Sequence, residues 1–394
     1  MERVLHGIRV LDFGRFIAGP FGSMLLADMG AEVIRIERPG GEEDRYIGVL
    51  SDTGESMGFM NMSRNKKGIS LDVLSSKGRE ILRELVKKSD VLMGNFPYGV
   101  PEKMGIDYAS LKKINPGIVV SIASGFGQEG PYAERPGFDM IAQAMSGAMT
   151  LTGFPGNPPT KAAVNYCDYA TAMFAALGVM FALFHRERTG EGQMVDVSLF
   201  HTGVTFMMSP INEFMTKAIL RPPYGNAGYW SVSDTFQTRD GWIIIAPISN
   251  NIWNRLLRVI GREDLKDDPR FKMDQDRTDH WNLLQPIIAD WMKVRSSQAA
   301  LELLDKGRVP AGPVMKYSEV PDNPHVKECN LIIPVEYPGA GPIPLIATPV
   351  RLSKTPGSIR NRAPLLGEHN EEIYTGFLGY KPEEIEEWKR EGII

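Results

Sequence analysis

The feature that most restricts this chain is an alternation of short apolar runs and amphipathic stretches through its first third. IRVLDFG leads into RFIAGPFGSMLLADMGA, whose later part has helical spacing, and then into EVIRIERPG. GISLDV, the helical SKGREILRELVKKSD, VLMGNF, the helical ASLKKINPG and IVVSIASGFG continue the pattern. Short strand-length runs separated by helical stretches are the pattern of repeated βαβ units. The chain is therefore predicted to be an α/β protein with a doubly wound, Rossmann-like parallel sheet.

From about Asp139 the pattern turns helical, through IAQAMSGAM and then DYATAMFAALGVMFALFHRERTG, which is apolar enough for a buried helix. A turn at Gly190-Glu191-Gly192 ends it, and MVDVSLF reads as a further strand. KAILRPPYGNAGYW, rich in Pro and Gly, reads as a linker. Beyond it DTFQTRDGWIIIAP is a hairpin signal with Asp240-Gly241 at the turn, followed by helical NNIWNRLLRVIG and LLQPIIADWMKVRSSQAALELLDKG. At 394 residues the chain exceeds what one core usually serves. The expected division is a large α/β domain over 1–224, a smaller α+β domain over 225–325, and a segment over 326–394 that returns to the large domain.

Composition removes several functions. A net charge of −4, with no block of either sign, argues against a nucleic-acid partner. The N-terminus enters a strand pattern at once and no unbroken apolar run reaches membrane-spanning length, so no membrane association and a cytoplasmic location are expected. Two cysteines, Cys167 and Cys329, make no disulfide framework, and six scattered histidines form no HExxH spacing, so no metal site is expected.

Ligands of open parallel sheets bind beyond the carboxyl ends of the strands. The first such loop, GRFIAGPFG, does not match GxGxxG and gives no support for a dinucleotide cradle. Arg38 ends the second strand, where a guanidinium could meet a phosphate or simply face solvent. Asp168, in VNYCDYATAMF, stands at the mouth of the long apolar helix, where an N-cap and a nucleophile are both open readings. The adjacent Cys167 is a rival nucleophile without a His or Asn motif beside it, and His185 and His201 read as ordinary interior or surface residues.

Taken in order, VLDFGRFIAGPFGSMLLADMGAEVIRIERPG, NKKGISLD, SDVLMGNFPYGVPEKMGIDYASLKKINPGIVVSIASGFGQEGPY, RERTGEGQMVDVSL, VPAGPV and RAPLLGEH closely resemble the class III CoA-transferases, the family of formyl-CoA and carnitine CoA-transferases. The resemblance spans nearly the whole chain. It implies a CoA-transferase with Asp168 as nucleophile and with CoA contacts at Ile17, Ala18, Arg38, Leu71, Asp72, Val73, Asn95, Phe96, Lys103 and Met104. Lys103 stands where some relatives carry Arg, which keeps the charge and loses the bidentate fork. No run of glycines forms an active-site loop here, YGNAGYW being the nearest candidate.

The resemblance further implies a large domain built from both chain ends, a small domain between them, and an interlocked dimer. The partner is an identical chain or a paralogue, the substrates are an acyl-CoA and a carboxylic acid, and coenzyme A is substrate, with no tightly bound cofactor. Two alternatives share the fold. An α-methylacyl-CoA racemase needs a second base, and where those enzymes carry His this chain has Phe138 in GFDMIAQAMSG, which holds no proton. A non-catalytic partner subunit would lack the nucleophile, whereas Asp168 is present.

Overall fold

The computed structural model describes residues 3–394 and divides into two compact units. One comprises the chain up to Gly147, Ala162–Asn212 and Pro324–Ile394; the other comprises Ala148–Lys161 and Glu213–Asn323. The second unit thus begins before the 224/225 boundary drawn from Pro and Gly content, and it takes in 148–161 as well. The reason lies in backbone pairing: Gly225 N–H donates to Gly153 O at 2.8 Å, so the glycine-rich stretch is tied to that earlier loop rather than left as a free linker.

In the first unit β1 (Arg9–Asp12), β2 (Glu32–Glu37), β3 (Lys66–Ser70), β4 (Val91–Asn95), β5 (Val119–Ser124) and β6 (Met194–Ser198) form one sheet in the order β3-β2-β1-β4-β5-β6. Every pairing is parallel, with Val10 opposite Val33 and Val91, and Leu92 opposite Val120. This is the doubly wound order, which reverses direction at β1 and β4 and opens a crevice beyond their carboxyl ends. Central β5 is buried along its whole length, while edge strand β6 turns Met194 and Asp196 outward.

Helix α1 (Ala18–Asp28) connects β1 to β2, and α2 (Ser76–Lys87) connects β3 to β4. Ser75 caps α2 by accepting from Gly78 N–H at 3.0 Å, and Ile81, Leu82, Leu85 and Val86 make the buried stripe that the sequence spacing requires. Two further helices, α3 (Asp139–Met145) and α4 (Tyr166–Thr189), follow β5. Gly190, at φ +76°, closes α4 with its N–H on Arg186 O.

One face of the sheet packs against α2 and the C-terminal tail, whose Tyr374, Trp388 and Ile393 share a core with Leu11, Ile69 and Leu85. Asp72 N–H donates to Ile393 O at 2.7 Å, so the chain's end is pinned to the loop after β3. The other face packs against α1 and α4 through Val10, Leu26, Val91, Ala175 and Val179. Helix α4 is long and apolar enough to cross a bilayer by length and composition, and half of its most apolar window is buried in the protein.

The second unit is built on an antiparallel sheet of β7 (Asp234–Gln237), β8 (Trp242–Ile245) and β9 (Ala311–Pro313). Phe236 pairs with Ile243 across the hairpin. Its core gathers Phe236, Trp253, Leu257, Leu284, Ile288 and Leu304 from this sheet and the helices Asn250–Ile260, Trp281–Lys293 and Ser297–Lys306.

Candidate active site

Beyond the carboxyl ends of β1, β4 and β5 lies a cavity of about 350 Å³ in the first unit, lined among others by Arg15, Ile17, Ala18, Phe138 and Asp168. The loop from Gly14 to Ala18 forms part of its wall and is held by buried charge. Asp12, at the end of β1, accepts from Gly14 N–H at 2.8 Å through one carboxylate oxygen and from Ser23 Oγ and Lys66 Nζ through the other. Lys66 Nζ also donates to Pro20 O, the first turn of α1. From the opposite side Arg35 donates to Gly14 O at 2.9 Å while its other nitrogen holds Asp44.

Asp12, Lys66 and Arg35 are all fully buried or nearly so. Burial opposes ionisation of Asp12, but Lys66 and Arg35 outweigh it and hold its carboxyl below the usual range. The grip is needed because the loop is tight. A Cβ on Gly19 would sit 2.5 Å from Gly14 Cα, and Phe16 adopts φ +58°, a region that bulky residues avoid.

Asp168 enters from α4. The sequence left a cap role open, and the structure overturns it: α4 begins at Tyr166 after Asn165, so Asp168 lies inside the first turn. The cap comes from Asp139, which is 2% exposed and opens α3. Asp139 Oδ1 accepts from Cys167 N–H at 2.8 Å and Asp168 N–H at 3.2 Å, and Gln143 donates to its Oδ2. The first turns of α1 and α4 touch, with Phe21 edge-on to Tyr169 at 5.0 Å. That contact sets the β1 loop beside Asp168.

Burial pushes the Asp168 carboxyl up, the Asp139 carboxylate adds to the shift, and together they bring it to about 7. Cys167 is different in kind: it is fully buried and its thiol is pushed up to about 12 by burial and by Asp139, which leaves little thiolate to react.

The other sequence-derived residues fall into three groups. Ile17, Ala18, Asn95 and Phe96 line the cavity with Asp168. Asn95 Oδ1, however, accepts from Arg15 N–H at 2.7 Å, so that side chain braces the loop. Leu71 and Val73 have their side chains in the core under α2, which leaves backbone alone to face a ligand, and the Asp72 carboxylate accepts from Leu74 N–H. Arg38, Lys103 and Met104 lie outside this cavity: Arg38 is exposed with Nε on Gly41 O, Lys103 is exposed, and Met104 packs partly against the core.

Sequence reasoning missed Asp139, Arg15 and Arg135. An acid directly after Phe138 at a helix start was the available signal for the first; nothing local marked the two arginines as cavity residues. Among the described residues no group of three or more His, Cys, Asp or Glu side chains converges as metal ligands would.

CoA-transferase family III matches residues 5–370. The chain is 37% identical over 386 residues to the succinyl-CoA–D-citramalate CoA-transferase of Chloroflexus aurantiacus, covering 97% of this chain and 96% of that protein. It is 33% identical over 396 residues to the succinyl-CoA–L-malate CoA-transferase beta subunit of the same organism, covering 99% and 98%. A crystal structure of a CAIB/BAIF family protein from Brucella suis superimposes with a TM-score of 0.83 at 32% identity, covering 95% of this chain and 100% of that one.

Proposed function

Because the chain belongs to CoA-transferase family III, we propose that it moves coenzyme A from a succinyl-CoA-type donor to a dicarboxylic acid, with Asp168 as the nucleophile. CoA thioesters are its substrates. The observation that carries the reading of Asp168 is its half-buried carboxyl in the cavity at the sheet's switch point, raised to about 7.

In this mechanism the Asp168 carboxylate attacks the donor thioester carbonyl and expels CoA thiolate, leaving a mixed anhydride. The thiolate attacks the aspartyl carbonyl, which releases the donor acid and forms an aspartyl-CoA thioester. The acceptor carboxylate then attacks that thioester, and the returning thiolate takes the acceptor acyl group and frees Asp168. Thioester energy is conserved and no proton or electron is consumed overall.

Each step passes through an oxyanion, and α1 offers backbone N–H donors near the cavity because no side chain caps its first turn. A carboxylate with a raised pKa is the stronger nucleophile, and the surrounding apolar wall slows hydrolysis of the acyl intermediates. Ile17, Ala18 and Phe96 would meet the pantetheine end of CoA. Arg38, Lys103, Met104 and the backbone of Leu71–Val73 would meet its nucleotide end. Phe138, at the cavity wall, carries no proton, which favours transfer over racemisation.

The assembly belongs to the same proposal. Met173, Leu177, Phe181 and Phe184 form an exposed apolar stripe along α4, and a second chain covering it in an interlocked dimer accounts for it. The decisive experiment on chemistry is intact-protein mass after incubation with succinyl-CoA, with hydroxylamine trapping and peptide mapping. A modification confined to Asp168 and lost in Asp168→Ala is the expected result; an adduct elsewhere, or none, overturns the mechanism.

A further inference from the structure

We propose that Arg15 is the specificity residue for acyl groups bearing a second carboxylate, gripping that carboxylate while Asp168 meets the thioester carbonyl at the other end of the same cavity. The inference rests on the reading of Asp168 as nucleophile.

Arg15 and Arg135 are the cations of the cavity lining, most of which is apolar or aromatic. Their settings differ. Arg135 is exposed on the 133–138 segment, with its guanidinium 4.2 Å over the Tyr132 ring. Arg15 lies on the clamped loop: its backbone N–H is held by Asn95, and its side chain, 40% exposed, places Nε 3.0 Å from Glu42 Oε2.

Among the described residues nothing partners Arg15 Nη1 or Nη2. Glu42 therefore holds the guanidinium by charge, its Oε2 accepting no hydrogen bond, and leaves the paired N–H donors of Nη1 and Nη2 open. That is the geometry a carboxylate accepts bidentately. The backbone is already held by Asn95, and the Glu42 charge restrains the side chain, so part of the ordering cost of binding is met in advance.

The dimensions agree. A volume of about 350 Å³ corresponds to a space about 9 Å across. A succinyl group spans about 5 Å from its thioester carbon to its distal carboxylate, so one end can meet Asp168 while the other reaches the cavity wall. A carboxylate entering a wall of this polarity without a cation would meet a large desolvation cost. Coenzyme A brings its own phosphates, but these are common to every donor. A contact to them cannot change the preference between two acyl groups.

The test uses that distinction. Succinyl-CoA and butyryl-CoA, which differ by a carboxylate against a methyl group, are compared as donors for wild type, Arg15→Met and Arg15→Lys. The double variant Arg15→Met/Glu42→Gln keeps the local charge balanced should the single change impair folding. The succinyl-to-butyryl ratio of kcat/KM is expected to fall about 100-fold in Arg15→Met and in the double variant, chiefly through KM, with Arg15→Lys intermediate. A ratio that stays at the wild-type value, whether both activities fall together or neither moves, overturns the proposal. Mapping of Asp168 in the same samples separates the two readings. If Asp168 loads but the ratio ignores Arg15, this inference alone fails; if Asp168 never loads, the mechanism fails and takes this inference with it.

Discussion

Two cavities of the first unit differ in a way that size does not reveal. At the amino ends of β2 and β3 lies a cavity of about 920 Å³, lined by His6, Arg9, Glu32, Lys67, Arg362 and Glu372 among others. Most of its charges answer one another. Arg9 and Lys67 both hold Glu32, Lys67 also holds Glu372 at 2.7 Å, and Arg362 holds Glu368. The smaller cavity at the carboxyl ends is mostly apolar, with an acid whose pKa is raised to about 7 and an arginine with one edge open. Charges that satisfy each other support a surface; charges left under-compensated are available for chemistry.

This contrast can be broken most sharply by activity. Asp168→Asn, which keeps size and removes the nucleophile, is expected to lower transfer by about 10⁴-fold or more in a coupled CoA-exchange assay. Glu372→Gln, in the larger cavity, should leave turnover within about twofold. Comparable losses in both would make the larger cavity part of the reaction.

A second test concerns the buried clamp beneath the site. Lys66→Met leaves Asp12 charged and without its main partner, which costs about 3–5 kcal/mol for a buried pair. Urea unfolding should register it as a lower midpoint with an unchanged slope. A loss under about 1 kcal/mol would mean that solvent reaches Asp12 and that the loop is held otherwise.

The pH dependence sharpens the comparison further. Only ionised Asp168 attacks, so the rate of its loading should rise with pH through about 7 and fall tenfold for each unit below. Asp139→Asn removes one of the two causes that raise Asp168 and retains an acceptor for the α4 amides. Its acid limb should move to lower pH, read from single-turnover loading between pH 5 and 8. A midpoint that stays put would assign the whole shift to burial. The smallest effect is expected at the surface, where Glu372→Gln breaks a half-exposed pair with Lys67 and should change unfolding free energy by less than about 1 kcal/mol.

Much of this was legible in the sequence. Alternating strand-length and helix-length runs announced the parallel sheet because each pair of parallel strands needs a crossover connection between them, here helical. The ordered motifs carried the family, and with it Asp168. The boundary at residue 224 was misread for a physical reason: Pro and Gly mark turns whether or not those turns are hydrogen-bonded to something distant, as Gly225 is to Gly153. The cap role considered for Asp168 was misread because a helix's first residue depends on which acceptor reaches its amides, and Asp139 comes from another helix.

What the sequence determined by itself is whatever depends on neighbours a few residues away: the period of the apolar positions, the Ser75 cap, the identity of the acid at 168. What only the tertiary structure decided is what those groups are worth. Asp12 meets Lys66 across 54 residues, Asp139 meets Asp168 across 29, and the open edge of Arg15 is defined by Glu42 and by a cavity wall drawn from three strand ends. Ionisation and reactivity follow desolvation and nearby charge, and both are set by which distant residues the fold brings within a few ångströms.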